Sequence, residues 1–149
     1  MTEILQDTIW LGSAQDAQDY TFLTTNNITH VINVGGEHAQ SKNMLPHIQY
    51  FKIDALDAPG YPILDYHLSV FSSIMDQALT NPNNKILVHC YAGINRSTTL
   101  LIAYLKKIFP TMNLIHHVKS LRPIVLSNQS FLNLLENVEN YWKQLFLNF

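Results

Sequence analysis

Short apolar and β-branched runs mark four predicted strands along the chain. Each run has the length of a strand, and the first two end at glycines that favour turns. The runs cover residues 8–11, 28–34, 48–53 and 85–88. The last of them is apolar after its first residue, as is typical of a central strand in a parallel sheet.

Longer stretches between and after these strands carry apolar residues at helical spacing. The clearest pattern places Leu64, Leu68, Phe71 and Met75 on one face of a helix. Pro110 ends another apolar stretch, since proline does not continue a helix. The helices predicted in this way cover residues 14–23, 64–79, 100–108, 112–121 and 129–147.

Strands that alternate with helices predict an α/β fold with a central, mostly parallel sheet flanked by helices. The 149 residues, of which 47% are hydrophobic, suffice for one ordinary core. We therefore expect a single domain that spans residues 1–149. Ligands of such folds bind at the carboxyl ends of the strands, so the loop that follows residues 85–88 is the first place to search for a site.

Charge and targeting features narrow the function classes. A net charge of −2 with no basic stretch disfavours nucleic acid or a membrane surface as a partner. The chain has no apolar run long enough for a bilayer span, no secretory signal, and no glycine at position 2 for myristoylation. With one cysteine, no internal disulfide forms. These features predict a cytoplasmic protein, and a nuclear one is equally compatible.

The stretch HCYAGINRS, residues 89–97, follows the last predicted strand and holds the only cysteine, Cys90. Gly93 supplies dihedrals that let the loop curl, which turns successive backbone N–H groups inward. Such a nest at a helix N-terminus binds phosphate, and Arg96 is suited to hold two phosphate oxygens. Ser97 is placed to donate a hydrogen bond to the sulfur. The loop is therefore predicted to bind a phosphate group.

The same positive field predicts an ionised thiol. Cysteines at helix N-termini have pKa values lowered to about 3.5–7.5, so Cys90 is expected to be a thiolate nucleophile at neutral pH. The alternative is a buried structural cysteine beside a surface arginine. The agreement of strand, glycine, arginine and helix favours the nucleophile.

These residues resemble the His-Cys-x5-Arg-Ser/Thr signature of the cysteine-dependent protein tyrosine phosphatases. The wider pattern is similar to the small dual-specificity phosphatases, including the poxvirus-type enzymes, whose loops also carry an Asn-Arg-Ser ending. Ser127 stands where that family usually has proline. The remaining similar segments are residues 9–14, 28–34, 96–105 and 122–131.

The resemblance implies a set of site residues. Cys90 is the nucleophile, and Ser97 assists the departure of its thiolate. His89 supports the loop geometry and Asn128 braces the loop from a neighbouring helix. The phosphate is held by the amides and the guanidinium of Tyr91, Ala92, Gly93, Ile94, Asn95 and Arg96.

The family also supplies a general acid from a loop that precedes the cysteine. Asp57 and Asp54 both lie there, and we prefer Asp57 because it stands within the loop, whereas Asp54 directly follows the strand. Asp65 is expected at the start of the next helix, where a carboxylate favours the dipole. No cofactor and no metal are expected; the adjacent His116 and His117 point in different directions on a helix and make a poor metal site.

The implied activity is hydrolysis of phosphotyrosine and of phosphoserine or phosphothreonine in proteins, through a phosphocysteine intermediate. Two alternatives stay open: the same chemistry on RNA 5′-phosphates or phosphoinositides, and a non-catalytic phosphate-binding module. The oligomeric state is undetermined. Trp142, Phe146 and Phe149 are predicted to pack the last helix on the core, with an exposed dimer patch as the alternative.

Overall fold

The computed structural model describes the backbone of residues 1–147 and the side chains of residues 1–143. Five strands and six α-helices follow one another along this part of the chain. The strands are β1 Thr2–Leu5, β2 Ile9–Gly12, β3 His30–Asn33, β4 Gln49–Lys52 and β5 Ile86–His89. The helices are α1 Tyr20–Thr25, α2 Ile63–Ala78, α3 Arg96–Ile108, α4 Leu114–Leu121, α5 Gln129–Glu136 and α6 Val138–Leu147.

The strands form one sheet in the order β1-β2-β5-β3-β4. Strand β5 lies at its centre and is parallel to both neighbours, and only β1 runs antiparallel. The predicted α/β class with a mostly parallel central sheet is confirmed. Every residue of β5 is buried, so its carboxyl end opens at the middle of the sheet edge.

Three features of the fold differ from the sequence prediction. Edge strand β1 was not predicted, because only one of its four residues is buried and it lacks an apolar run. The helix expected at 14–23 is a 3-10 turn followed by α1, and Asp19 begins α1 by accepting a hydrogen bond from the Phe22 N–H. The helix expected at 129–147 divides into α5 and α6 at Asn137, whose dihedrals (φ −113°, ψ 11°) are not helical.

Helix α3 is the buried centre of the helical layer. Its residues from Ser97 to Leu105 are all buried, and α2 packs along it. Phe71 of α2 and Tyr104 of α3 meet edge to face with ring centroids 6.2 Å apart, a favourable geometry for aromatic pairs. This packing fixes the N-terminus of α3 relative to the end of β5.

The last described helix packs on this core through Trp142. Its indole Nε1 donates a hydrogen bond of 2.9 Å to the carbonyl oxygen of Ala103, and the side chain is buried. The predicted packing role is therefore confirmed for Trp142. The side chains of Phe146 and Phe149 lie outside the described residues. None of the helices in the described part of the chain combines the length and apolarity that a bilayer crossing requires.

Candidate active site

The loop between β5 and α3 begins after His89 and ends where Arg96 starts the helix. Gly93 has φ +71°, a conformation that side chains rarely adopt. A Cβ atom built there would stand 2.5 Å from the carbonyl oxygen of Gly12 on neighbouring strand β2. The loop therefore curls tightly against β2, and only glycine fits at this position.

Several hydrogen bonds hold the outer side of the loop. The Ala14 N–H donates to the Tyr91 carbonyl oxygen at 2.9 Å, and the Leu126 N–H donates to that of Ile94 at 3.0 Å. Arg122 donates through Nε to the Gly93 carbonyl oxygen at 2.9 Å. These carbonyl oxygens are bonded on the outer side of the loop, and the Gly93 and Ser97 amides donate to the Cys90 sulfur on the inner side, which is the arrangement that an anion-binding nest requires.

Arg122 begins the segment 122–131 that is similar to the family, and no role was predicted for it. Besides the Gly93 contact, its guanidinium donates to the Ala92 carbonyl oxygen at 3.4 Å and to Thr2 Oγ1 at 3.1 Å. These contacts join β1 to the loop. Nothing else in the sequence indicated this role, because the partners of Arg122 lie far away along the chain.

Cys90 sits beneath the loop with 2% of its surface exposed. The Ser97 hydroxyl donates a hydrogen bond of 3.2 Å to its sulfur. Burial opposes ionisation of the thiol, but hydrogen bonds from the Ser97 hydroxyl and from the Ser97 and Gly93 amides, with the charge of Arg96, lower its pKa overall. The structure thus brings the predicted nucleophile and its predicted hydroxyl partner together.

Arg96 is anchored by one end of its guanidinium. Nη1 donates to the carbonyl oxygens of Ala55 at 3.0 Å and Gly35 at 3.4 Å. Its Nε is buried and has no hydrogen-bond partner among the described residues. A buried donor of this kind is costly unless an acceptor meets it, so Nε is suited to a phosphate oxygen.

His89 is almost fully buried behind the loop. Its Nδ1 lies 3.0 Å from the Cys90 carbonyl oxygen, which agrees with the predicted role in loop geometry. Burial lowers the pKa of its imidazole, although the Cys90 carbonyl and Asp16 act in the opposite direction. The ring is therefore neutral at pH 7 and is positioned to orient the backbone.

The two candidate acids have different surroundings. Asp57 is exposed, and its carboxylate accepts hydrogen bonds of 3.0 Å from the side-chain amides of Asn95 and Asn128. Asp54 instead lies 4.0 Å from Lys52 and beside Gly36. The structure therefore joins Asp57, and not Asp54, to a residue of the phosphate loop.

Asn128 begins α5 and also reaches the loop. Its Oδ1 accepts hydrogen bonds from the Ser130 and Phe131 N–H groups, which caps the helix. Its own N–H donates to Asn95 Oδ1 at 2.9 Å. Asn128 thus contacts both Asp57 and the loop. Asp65 lies in the first turn of α2, as expected.

An open cleft of about 1020 Å³ borders the loop on the side of Tyr91 and Ala92. Polar and charged side chains line its other walls, including those of Gln18, His38 and Lys42. Tyr91 is exposed at the mouth. The cleft is open to solvent and adjoins the loop at Tyr91 and Ala92.

Metal ligands do not cluster in the part of the chain whose side chains are described. No group of three or more His, Cys, Asp or Glu side chains there is placed to hold a metal ion. His117 Nε2 lies 3.1 Å from the carbonyl oxygen of Ile4, which ties that ring to β1. The positive field of the loop comes from Arg96, the amides and the start of α3.

Comparison with known proteins agrees with this geometry. The family described as the dual specificity phosphatase catalytic domain matches residues 9–141. The chain belongs to this family. The predicted membership of the cysteine-dependent phosphatases, as a small dual-specificity domain, is therefore confirmed.

Individual relatives support the assignment. The chain is 35% identical to dual specificity protein phosphatase 15 of Mus musculus, over 91% of this chain and 56% of the relative. It is 30% identical to dual specificity protein phosphatase 22-B of Danio rerio, over 93% of this chain and 74% of that protein. The chain thus spans about half the length of the first of these curated relatives.

Solved structures share the fold. The crystal structure of DUSP15 superposes with a TM-score of 0.81 at 29% identity and covers 100% of this chain and 96% of that one. The human tyrosine phosphatase-like serine/threonine/tyrosine-interacting protein superposes with a TM-score of 0.83 at 26% identity, over 95% of this chain and 97% of that one.

Proposed function

We propose that this protein hydrolyses phosphate monoesters on tyrosine and on serine or threonine side chains of proteins, through a phosphocysteine intermediate. The observation that carries the proposal is the pairing of two groups in one loop. These are the Cys90 thiol, whose pKa is lowered, and the buried Arg96 Nε, which lacks a partner among the described residues.

In the first step, the Cys90 thiolate attacks phosphorus in line with the departing oxygen. The S–P bond forms as the P–O ester bond breaks, and the loop amides and Arg96 hold the other three oxygens. Asp57 gives its proton to the departing oxygen, which would otherwise leave as a poor alkoxide or phenoxide. The alcohol or phenol then leaves.

In the second step, the Asp57 carboxylate accepts a proton from a water molecule that attacks phosphorus. The P–O bond forms as the S–P bond breaks, and inorganic phosphate leaves. The Ser97 hydroxyl, 3.2 Å from the sulfur, stabilises the departing thiolate. Since the loop supplies the positive charge, these steps use no metal and no cofactor.

Phosphoproteins are the substrates that the site favours. Tyr91, Ala92, Ile94 and Asn95 add no charge to the loop, which suits a single phosphate better than a polyanionic lipid head group or an RNA end. The adjoining cleft is open and polar, which suits a peptide chain. The open site also supports action on the shorter phosphoserine and phosphothreonine side chains.

A phosphate-binding module without turnover is the second candidate. One solved structure supports this second candidate. The chain superposes on a human protein whose name describes it as tyrosine phosphatase-like and serine/threonine/tyrosine-interacting. Cys90, Arg96 and Asp57 together favour an enzyme, because a binding module has no need of a nucleophile or an acid.

Phosphate release from a matched panel separates these functions. The panel contains phosphotyrosine and phosphothreonine peptides, a 5′-triphosphate RNA and phosphoinositide vesicles, each assayed with the wild-type protein and the Cys90→Ser variant. We expect release from the peptides only, and none with the variant, which still binds phosphopeptide because Arg96 and the amides remain. Peptide binding without release by the wild type would favour the binding module, and release from RNA or vesicles alone would change the substrate class.

Domain organisation and cellular location are also part of the proposal. We propose that residues 1–149 act as one catalytic domain, supported by the single sheet and the burial of α3 against it. A cytoplasmic or nuclear location fits the chemistry, because the Cys90 thiol must stay reduced and no second cysteine protects it as a disulfide.

A further inference from the structure

We propose that the side chain of Asn95 is a positioning residue that couples the phosphate loop to the general acid. The inference rests on the proposed function and deepens it. The steps above use only the backbone N–H of Asn95, and the inference assigns a role to its side chain. The Asn95 side chain has no part in the phosphate nest. It joins three segments that are distant in the sequence.

The direction of the Asn95 side-chain amide is fixed by its contact with Asn128. Asn95 Oδ1 accepts the backbone N–H of Asn128 at 2.9 Å, and a backbone N–H is always a donor. This fixes which end of the amide is oxygen, so Nδ2 must face the other way. Nδ2 donates to Asp57 Oδ2 at 3.0 Å and to Ser127 Oγ at 3.1 Å.

Asn95 is also held rigidly in the loop. Asn95 is 7% exposed, and its carbonyl oxygen accepts hydrogen bonds from both the N–H and the hydroxyl of Thr99, at 2.9 and 2.6 Å. These bonds fix its backbone at the start of α3, directly before Arg96. Its side chain is therefore held in the same frame as the group that binds the phosphate.

Asp57 has few contacts among the described residues that would hold its side chain in one conformation. It lies on the connection between β4 and α2, outside any strand or helix, and its side chain is exposed. Among the described residues its carboxylate accepts from Asn95 and Asn128 alone, each through a side-chain amide. Without these donors the acid would have many rotamers, and only some of them would reach the departing oxygen.

The donor type also fits the acid's two roles. A lysine or arginine at position 95 would pair with Asp57 and hold it ionised, which would prevent proton donation. A neutral amide orients the carboxyl group without placing a positive charge beside it. Asn95 is thus suited to position an acid that must later act as a base.

The test is a double-mutant cycle between Asn95→Ala and Asp57→Ala. Turnover is measured on phenyl phosphate, which has a poor leaving group, and on an aryl phosphate with a good one. We expect Asn95→Ala to lower kcat on phenyl phosphate about 10-fold or more, against a smaller loss on the good leaving group. In the Asp57→Ala background, Asn95→Ala should cause no further loss, because its partner is gone.

A binding measurement separates positioning from loop damage. The dissociation constant of tungstate should change less than about twofold in Asn95→Ala, since the amide nest remains. Asn133→Ala, an exposed asparagine of α5, serves as the matched control for folding and turnover.

Three results would overturn the inference: equal losses on both leaving groups, additive losses in the cycle, or a fall in tungstate affinity that matches the loss of kcat. Any of them would make Asn95 a structural residue of the loop, and the proposed phosphatase function of the wild-type protein would still stand. Failure of the proposed function would differ, because the wild-type protein would itself release no phosphate.

Discussion

Asp54 and Asp57 stand close together in the sequence, but their side chains meet different partners. Asp54 extends the sheet through an isolated bridge to Gly35 and faces Lys52. Asp57 faces the amides of Asn95 and Asn128. The connection after β4 therefore directs one carboxylate towards the sheet edge and the other towards the phosphate loop.

This contrast predicts different kinetics for two alanine variants. Asp57→Ala should lower kcat on phosphotyrosine peptide by about 100-fold or more, since general acid catalysis contributes on that order. The loss of kcat on a substrate with a good leaving group should be much smaller, because that group needs no proton to depart. Asp54→Ala should change both rates by the same small factor. Steady-state kinetics on the two substrates measure this. If Asp54→Ala shows the leaving-group dependence and Asp57→Ala does not, the assignment of the acid is wrong.

The sequence indicates some site residues more directly than others. Cys90, Arg96 and Ser97 are local, because one loop and one helix turn bring them together. The contacts of the Asn95 side chain and of Arg122 depend on segments that meet only in the folded chain. No spacing rule predicts such contacts, so the sequence led only to a predicted backbone role for Asn95 and did not indicate the contacts of its side chain.

At the scale of elements, the strand–loop–helix unit around Gly93 should tolerate no side chain there. Gly93→Ala places a Cβ 2.5 Å from the Gly12 carbonyl oxygen and 2.7 Å from Arg122, at a φ of +71°. The strain, about 1–3 kcal/mol for the dihedral alone, should displace the amides and lower tungstate affinity about 10-fold or more. Isothermal titration of tungstate measures the loss.

Gly60→Ala is the matched control for this variant. Gly60 also has a positive φ, +79°, but a Cβ there meets nothing within 4 Å. Gly60→Ala should therefore cause a similar amount of backbone strain and leave tungstate affinity unchanged. Equal affinity losses in both variants, or none in Gly93→Ala, would contradict the close packing of loop and strand.

Elements with a strong apolar pattern were predicted well, and those without one were not. Strand β5 and helices α2 and α3 carry dense buried positions, so their periodicity is clear. Strand β1 pairs with β2 through its backbone, and its side chains show no apolar pattern that would predict a strand. The sequence pattern also does not indicate the break at Asn137, because apolar core residues lie on both sides of it.

At the scale of the whole molecule, three histidines link folding to pH. Burial lowers the pKa of His30, of His67 and of His89 below the ordinary value of 6.5. Asp54 partly offsets this for His67, as the Cys90 carbonyl and Asp16 do for His89. The unfolded chain therefore binds more protons than the folded one at pH values just below 6.5.

The contribution of these histidines to the free energy of unfolding should consequently be constant above pH 6.5 and fall as the pH drops below it. The lowered pKa of the Cys90 thiol adds a fall of the same sign that begins at higher pH, so the measurement is made in the Cys90→Ser background. Urea denaturation between pH 8 and about 5, above the range of ordinary carboxyl groups, measures this dependence. His30→Phe, which keeps an aromatic ring stacked on Phe51, should make the fall less steep. Stability that rises on acidification in this range would contradict the burial of neutral histidines.

The central claim is that the loop between β5 and α3 keeps the Cys90 sulfur ionised at neutral pH. The most direct measurement is the pH dependence of Cys90 alkylation by iodoacetamide in the wild-type protein, with Ser97→Ala alongside. We predict a wild-type midpoint well below about 8.5, the value of a free thiol, and a higher midpoint in the variant, which lacks the hydroxyl donor. A wild-type midpoint near 8.5 would contradict the claim.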